Sequence, residues 1–356
     1  HDEWGTDPSG GPVGGRRAGT PDPATHPPAP QNGGMEHGRD EGGGGPRDAR
    51  GGAAETGTDG VPELLRERPP SPLTEVDDER FARHGVRLFL KREDLLHPEV
   101  VGNKWRKLVP TLREAVATGD RTLLTFGGAH SNHLRATAAA GRLLGLSTIG
   151  VVRGEELADR PPNPSLAACL ADGMRPHFVT RSEYRRRADP DFVAGLRKRF
   201  GPFRLVPEGG TNAAAVRGCV VPGRELAAAD PRPDVVAVAC GTGGTLAGLA
   251  AGLAPGTRAL GIPVLRGGFH GEAVRALQRE AFGGPRGRWS VDDRFHHGGF
   301  ARVPAELEEF ALDFADRHGL PSLDRVYVAK VLWALRELTA AGAFPRGTVV
   351  AAVVTG

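Results

Sequence analysis

Val86, Leu88 and Leu90 alternate with Arg87, Phe89 and Lys91, a period of two that predicts a strand. Gly102-Asn103 breaks the extended run, and Asn103 stands where a helix N-cap belongs. Leu108, Leu112 and Val116 then recur at helical spacing until Gly119. Beyond this unit the pattern becomes a rhythm. Short apolar strands are predicted over Arg121–Phe126, Ser147–Val152, His177–Thr180 and Phe203–Val206. Between them lie helical stretches at Ser131–Leu144, Pro164–Ala171 and Asp191–Phe200. A broken helix over Asn212–Ala229 leads to a second set: strands Asp234–Ala239, Arg258–Leu265 and Thr348–Val354, and helices Thr245–Leu253, His270–Phe282, Pro304–His318 and Leu323–Ala341. Strands that are apolar throughout, alternating with helices, predict parallel sheets covered on both faces. The expected class is α/β, a two-domain fold of open twisted parallel sheets.

Composition changes the picture at the front of the chain. Up to about Gly60 the sequence is Gly, Pro, Ala, Arg, Asp and Glu with almost no large apolar side chains. Such a segment cannot bury enough surface to offset its ordering entropy. Residues 1–64 are therefore expected to form a disordered tail. The expected division of the rest is a large domain from 65–105 and 205–356, with a small α/β domain from 106–204 between them. No apolar run is long enough to cross a membrane. A net charge of +3 with dispersed arginines argues against a nucleic-acid partner. Cys169, Cys219 and Cys240 are scattered without metal spacing, which predicts reduced thiols, no metal site and a cytoplasmic protein.

The chemistry gathers at the turns. Lys104 falls in the first turn of its predicted helix, where the dipole disfavours an ammonium. Burial would disfavour it further, as a nucleophilic lysine requires. In Phe126-Gly-Gly-Ala-His-Ser-Asn-His133, two glycines precede a helix start at Ser131 and Asn132, a position that suits an anion and equally a simple N-cap. Pro207-Glu-Gly-Gly-Thr-Asn212 is a second turn of this kind. Cys240-Gly-Thr-Gly-Gly-Thr245 lies between a strand and a helix, so its amides can converge on phosphate oxygens. It lacks the lysine of a Walker loop, and Leu246 stands where a dinucleotide fingerprint needs glycine. A phosphate monoester suits it better.

Four words occur in one order: Lys91-Arg-Glu-Asp94 with Gly102-Asn-Lys-Trp-Arg-Lys-Leu108, the Gly127–Asn132 turn, the Gly241–Thr245 loop, and Leu323-Asp-Arg-Val-Tyr-Val-Ala-Lys330. Together they resemble the aminocyclopropane-carboxylate deaminase and D-cysteine desulfhydrase family, part of the tryptophan-synthase-β-like pyridoxal-phosphate (PLP) group, fold type II. The resemblance runs from about Pro72 to the last residue. It implies PLP held by Lys104, with the phosphate on Gly241, Thr242, Gly243, Gly244 and Thr245. It also implies Asn132 at the cofactor's 3-hydroxyl, Thr355 at its ring nitrogen, and Ser131 and Tyr327 as catalytic partners of Lys104. His133 stands where the family carries His or Gln. Val328 replaces the glutamate that the deaminase branch places near the ring nitrogen. The resemblance therefore implies β-elimination from a small amino acid, D-cysteine first, by a homodimer. Aminocyclopropane-carboxylate deamination is the alternative, and a non-catalytic ligand-binding protein is the rival outside enzymes.

Overall fold

Val235–Cys240 forms a strand with no exposed residue. Its alternate side chains explain why the sequence is apolar throughout. Val235, Ala237 and Ala239 enter one core, and Val236, Val238 and Cys240 enter another on the opposite face. The computed structural model describes residues 60–356. The part of the expected tail before residue 60 lies outside the described residues. Leu64, assigned to the tail by the sequence reading, is buried beside Leu65, and its carbonyl accepts a 2.9 Å hydrogen bond from the Trp105 indole.

Ten strands are described: β1 Leu73–Val76, β2 Arg87–Lys91, β3 Thr122–Gly127, β4 Ser147–Arg153, β5 Met174–Val179, β6 Arg204–Val206, β7 Val235–Cys240, β8 Arg258–Pro263, β9 Arg288–Val291 and β10 Val349–Val353. They form two sheets, ordered β1-β2-β10-β7-β8-β9 and β5-β4-β3-β6. All pairings are parallel except the edge pair β1–β2, which is antiparallel. This is the expected α/β architecture of parallel sheets, with an antiparallel edge that the periodicity did not reveal. Leu123 packs with helix residues Leu112 and Ala140 on one face of β3, while Leu124 and Phe126 pack with Val179 and Leu196 on the other.

Two helices differ from expectation. The Asn212–Ala229 stretch divides into Ala213–Gly218 and Val220–Ala227. Pro222 has no amide proton to return to the Gly218 carbonyl, so the helix breaks there. The last long helix begins at Val328 rather than Leu323. The Asp324 carboxylate accepts the amide protons of Tyr327 at 2.5 Å and Val328 at 3.2 Å, which holds the preceding residues in a non-helical turn. No described helix is long and apolar enough to cross a membrane.

Candidate active site

In a parallel sheet the turns that leave the carboxyl ends of strands share one side. The segments beyond β2, β7 and β10, all in the six-stranded sheet, therefore leave on one side, and the turn after β3, from the four-stranded sheet, meets them there. They line a cavity of 710 Å³ that holds Lys104, Ser131, Gly241, Thr242, Gly243, Thr245, Tyr327 and Thr355. Gly244 opens the helix Gly244–Gly252 directly beyond that wall. Asn132 stands at the edge of this cavity. It faces an adjoining cleft with Asp324 and Val328, and its amide donates to the Gly356 carbonyl at 3.4 Å.

Lys104 is the first residue of the helix Lys104–Ala117. Asn103 does not cap that helix with its side chain. Its amide instead donates to Thr245 Oγ1 at 2.7 Å, and its Oδ1 accepts from Lys104 Nζ at 3.3 Å. The lysine and the glycine loop are thus joined through one side chain. Burial lowers the Lys104 pKa from the ordinary lysine value, against weaker opposing pulls from Cys219 and Asp324. The same helix is anchored by Arg106, which is buried and paired to Glu93 at 3.0 Å and Glu225 at 2.8 Å. Glu225 also pairs with the buried Lys91 at 2.5 Å.

The sequence reading missed Lys107. It is buried, donates to the Gly209 carbonyl and, at 2.6 Å, to Thr211 Oγ1, and it lines the same cavity. A Cβ on Gly244 would lie 3.5 Å from its Nζ, so the ammonium faces the start of the loop helix. Burial, then the charge of Lys104, pushes its pKa down to about 7. Thr211 is 2.6 Å from Thr242 Oγ1, which ties the second glycine turn to the third. The only available signal was the i, i+3 spacing from Lys104, which puts both lysines on one helix face.

Ser131 does cap its helix, accepting from the Leu134 amide at 3.3 Å, and still lines the cavity. His133 is buried beneath it. Its Nε2 lies 2.7 Å from Thr125 Oγ1, whose own proton goes to the Val206 carbonyl. His133 therefore donates from Nε2, leaving Nδ1 as a bare acceptor, and that atom is buried without a partner. Burial lowers the His133 pKa well below its usual value, so the ring is neutral.

Tyr327 packs edge-on against Phe300, with ring centroids 6.2 Å apart, and both line the cavity. Burial, reinforced by the Asp324 carboxylate, raises its pKa well above the phenol norm. It is a proton donor at any physiological pH. Thr355 is buried at the end of the chain, and its carbonyl accepts from the Asn103 amide at 3.2 Å. Val328 is fully buried in the core and brings no charge to the cavity.

A PLP molecule matches these features. The loop offers backbone amides and two threonine hydroxyls, and Gly243 holds the left-handed φ of 84° that turns those amides inward. Lys107 adds a second buried amine beside the loop, and Lys104 an amine whose pKa burial lowers. A model of the pyridoxal-phosphate-dependent enzyme family matches residues 65–356. The chain belongs to that family. Its relatives within the PLP-dependent enzymes include a bifunctional D-cysteine desulfhydrase/1-aminocyclopropane-1-carboxylate deaminase of Arabidopsis thaliana. That enzyme is 33% identical over 183 residues, 48% of this chain and 45% of the relative. A putative 1-aminocyclopropane-1-carboxylate deaminase of Pyrococcus horikoshii is 29% identical over 72% of this chain and 81% of its own. A D-cysteine desulfhydrase of Serratia proteamaculans is 34% identical over 51% of this chain and 58% of its own. The matched stretch thus spans about half the length of the plant and Serratia relatives. Among solved structures, an ACC deaminase homologue superposes with a TM-score of 0.70 and 27% identity, covering 83% of this chain and 90% of that one. A threonine deaminase isoform from Solanum lycopersicum, at 17% identity and a TM-score of 0.59, shares the fold.

Proposed function

We propose that this PLP-dependent enzyme is a lyase that converts a small amino acid to a keto acid and ammonia, with D-cysteine as the first substrate. Cysteine and water would give pyruvate, ammonia and sulfide. The observation that carries the reading is the meeting of Lys104, the Gly241–Thr245 loop, Ser131 and Tyr327 on one cavity. PLP, when bound, supplies a sink for the electrons left at Cα. The residues of the chain supply the rest. Lys104, with its lowered pKa, takes the Cα proton. Ser131, at the amino end of a helix, holds the substrate carboxylate by its hydroxyl, aided by the helix dipole. Tyr327 donates a proton to the departing group. Lys107, Thr242 and Thr245 hold the phosphate, and Thr355 offers its hydroxyl to the ring nitrogen. Asn132, bonded to Gly356 at the edge of the cavity, keeps a second amide proton and its carbonyl for the cofactor's 3-hydroxyl.

Val328 supports elimination over ring opening, because no carboxylate at that position holds the ring nitrogen protonated. Aminocyclopropane carboxylate stays as the second substrate, since the names of the relatives include it. The family resemblance further supports a homodimer, and three buried free thiols support a cytoplasmic setting. The test is the visible absorption of the purified protein beside Lys104→Ala, followed by addition of D-cysteine. A cofactor band present in the wild type and lost in the variant, with sulfide and pyruvate released in equal amounts, is the expected result. Production of 2-oxobutyrate from aminocyclopropane carboxylate without sulfide from D-cysteine would replace the substrate.

A further inference from the structure

One part of the cavity wall is built from arginines. Arg153 is the last residue of β4, and Arg181, Arg185 and Arg187 lie in and just beyond the short helix Arg181–Arg185 that follows β5. All four line the cavity that contains Lys104. Two of them are neutralised. Arg181 pairs with Glu156 at 2.7 Å, and Arg187 pairs with Glu208 at 2.7 Å. Arg153 and Arg185 have no carboxylate partner among the described residues. The Arg153 guanidinium stands 5.6 Å from the centroid of the Tyr184 ring, which is itself buried and fixed by a 2.6 Å hydrogen bond to Glu208. A platform of this kind holds a guanidinium in place without neutralising its charge.

The position of this surplus charge is set by the sheet. Ser131 follows β3, β4 is hydrogen-bonded to β3, and β5 is hydrogen-bonded to β4. Neighbouring strands lie about 4.8 Å apart, so the end of β4, which carries Arg153, stands about one strand spacing along the sheet from the end of β3, and Arg185 lies further on, in the helix that follows β5. Arg153 Nη2 would lie 3.5 Å from a Cβ on Gly128, in that same turn. A neutral side chain such as that of cysteine leaves these guanidiniums unused.

We infer that, beside a neutral amino acid such as D-cysteine, the cavity takes and binds more tightly an amino acid whose side chain ends in an anion, a phosphoryl group or a second carboxylate, and that Arg153 and Arg185 are the residues that recognise it. The inference rests on the reading of this cavity as an amino-acid site and names its substrate class. Where the anion is also the leaving group, as in O-phosphoserine, the Cβ–O bond breaks with its electron pair going to phosphate. Lys104 takes the Cα proton, and one water completes the balance to pyruvate, ammonia and phosphate.

The experiment uses the holoenzyme and follows the change in cofactor absorption on titration with matched pairs: serine against O-phosphoserine and asparagine against aspartate, each as both enantiomers, with D-cysteine alongside. The anionic member of one pair is expected to bind about tenfold more tightly than its neutral partner, the scale of a charge-assisted bond discounted for exposure. Arg153→Gln and Arg185→Gln should each bring that ratio towards one while leaving the neutral partner's affinity unchanged. Arg232→Gln, at an exposed arginine in the turn before β7, should alter neither. A preference within the serine pair identifies a phosphoryl group, and one within the asparagine pair a carboxylate. Equal affinity within both pairs overturns the inference, as does an Arg153→Gln variant that weakens both members alike, since that arginine would then hold the α-carboxylate. A response to D-cysteine without any preference for anions overturns this inference and spares the lyase. A wild-type protein that holds PLP and responds to no amino acid overturns both.

Discussion

Asn103 donates a hydrogen bond to Thr245 Oγ1 at 2.7 Å, joining two residues 142 positions apart in the chain. One partner precedes Lys104 and the other ends the Gly241–Thr245 loop, so this bond ties together the two segments proposed to grip the cofactor. Removing either partner leaves a buried polar group unsatisfied, at a cost of about 1–3 kcal/mol. Asn103→Ala and Thr245→Val are each expected to weaken PLP binding by about tenfold or more, with far-ultraviolet dichroism unchanged. The double variant should lose little beyond the worse single one, because both delete one interaction. Fluorescence titration of the apo-protein with PLP measures all three. Fully additive losses would show that the two residues act separately.

Lys107 gives the site a pH signature. Its pKa falls from 10.5 to about 7 on folding because the ammonium is buried beside Lys104. Between those values the unfolded chain binds the extra proton, so stability of the apo-protein rises with pH across that window. The penalty is full below about pH 7 and is relieved as pH climbs towards 10.5. Lys107→Met should flatten part of this slope in a series of melting temperatures. A phosphate beside Nζ restores the ammonium, so PLP binding at pH 8 to 9 is expected to take up a proton in the wild type and not in Lys107→Met. Calorimetry in buffers of different ionisation enthalpy reads that difference directly.

Tyr327 is held by its own backbone. Asp324 accepts the Tyr327 amide proton at 2.5 Å, and Phe300 packs on the ring. The phenol keeps its proton through the working pH range. Tyr327→Phe should therefore retain PLP, fold and substrate affinity but lose about a hundredfold in kcat, the usual weight of a positioned acid. Asp324→Ala frees the turn and should raise KM as well as lower kcat. Identical kinetics in wild type and Tyr327→Phe would remove the tyrosine from proton transfer.

The site was legible in the sequence where a residue type and a strand-to-helix turn coincide. Lys104, the Gly241–Thr245 loop and Thr355 meet on one cavity because a parallel sheet sends the segments beyond its strands to one side, and Ser131, from the second sheet, and Tyr327, at the start of a helix, face the same space. Lys107 and the arginines at 153 and 185 were hidden because single-residue chemistry is silent about which charges face inward. Asn132 stands at the edge of the cavity rather than on its wall, because its neighbour Ser131 turns to the cavity while the asparagine bonds Gly356. In the fold, β7 was plain because it is buried on both faces. β1 and β9 were missed because they are edge strands of four residues whose exposure blurs the period. The false helix over Leu323–Tyr327 came from counting apolar spacing without the Asp324 side chain, which competes for the backbone amides.

Gly102 and Gly119 separate backbone strain from steric exclusion. Both hold a left-handed φ, 69° and 72°. At Gly119 nothing lies within 4 Å of an added Cβ, so Gly119→Ala should cost about 1–2 kcal/mol, the strain of a left-handed L-residue alone. At Gly102 a Cβ would lie 1.6 Å from the Thr355 carbonyl oxygen, which is rigid backbone at the end of β10. That carbonyl also receives the Asn103 amide proton at 3.2 Å, so it cannot withdraw without moving the residue next to Lys104. Gly102→Ala is expected to cost about 4 kcal/mol or more and to lose the cofactor band in whatever fraction still folds. Urea unfolding of the two variants beside the wild type gives the difference. Equal losses at the two glycines would mean that the segment before Lys104 can shift freely, and that the grip on the lysine comes from the helix behind it, through Arg106 and Glu93.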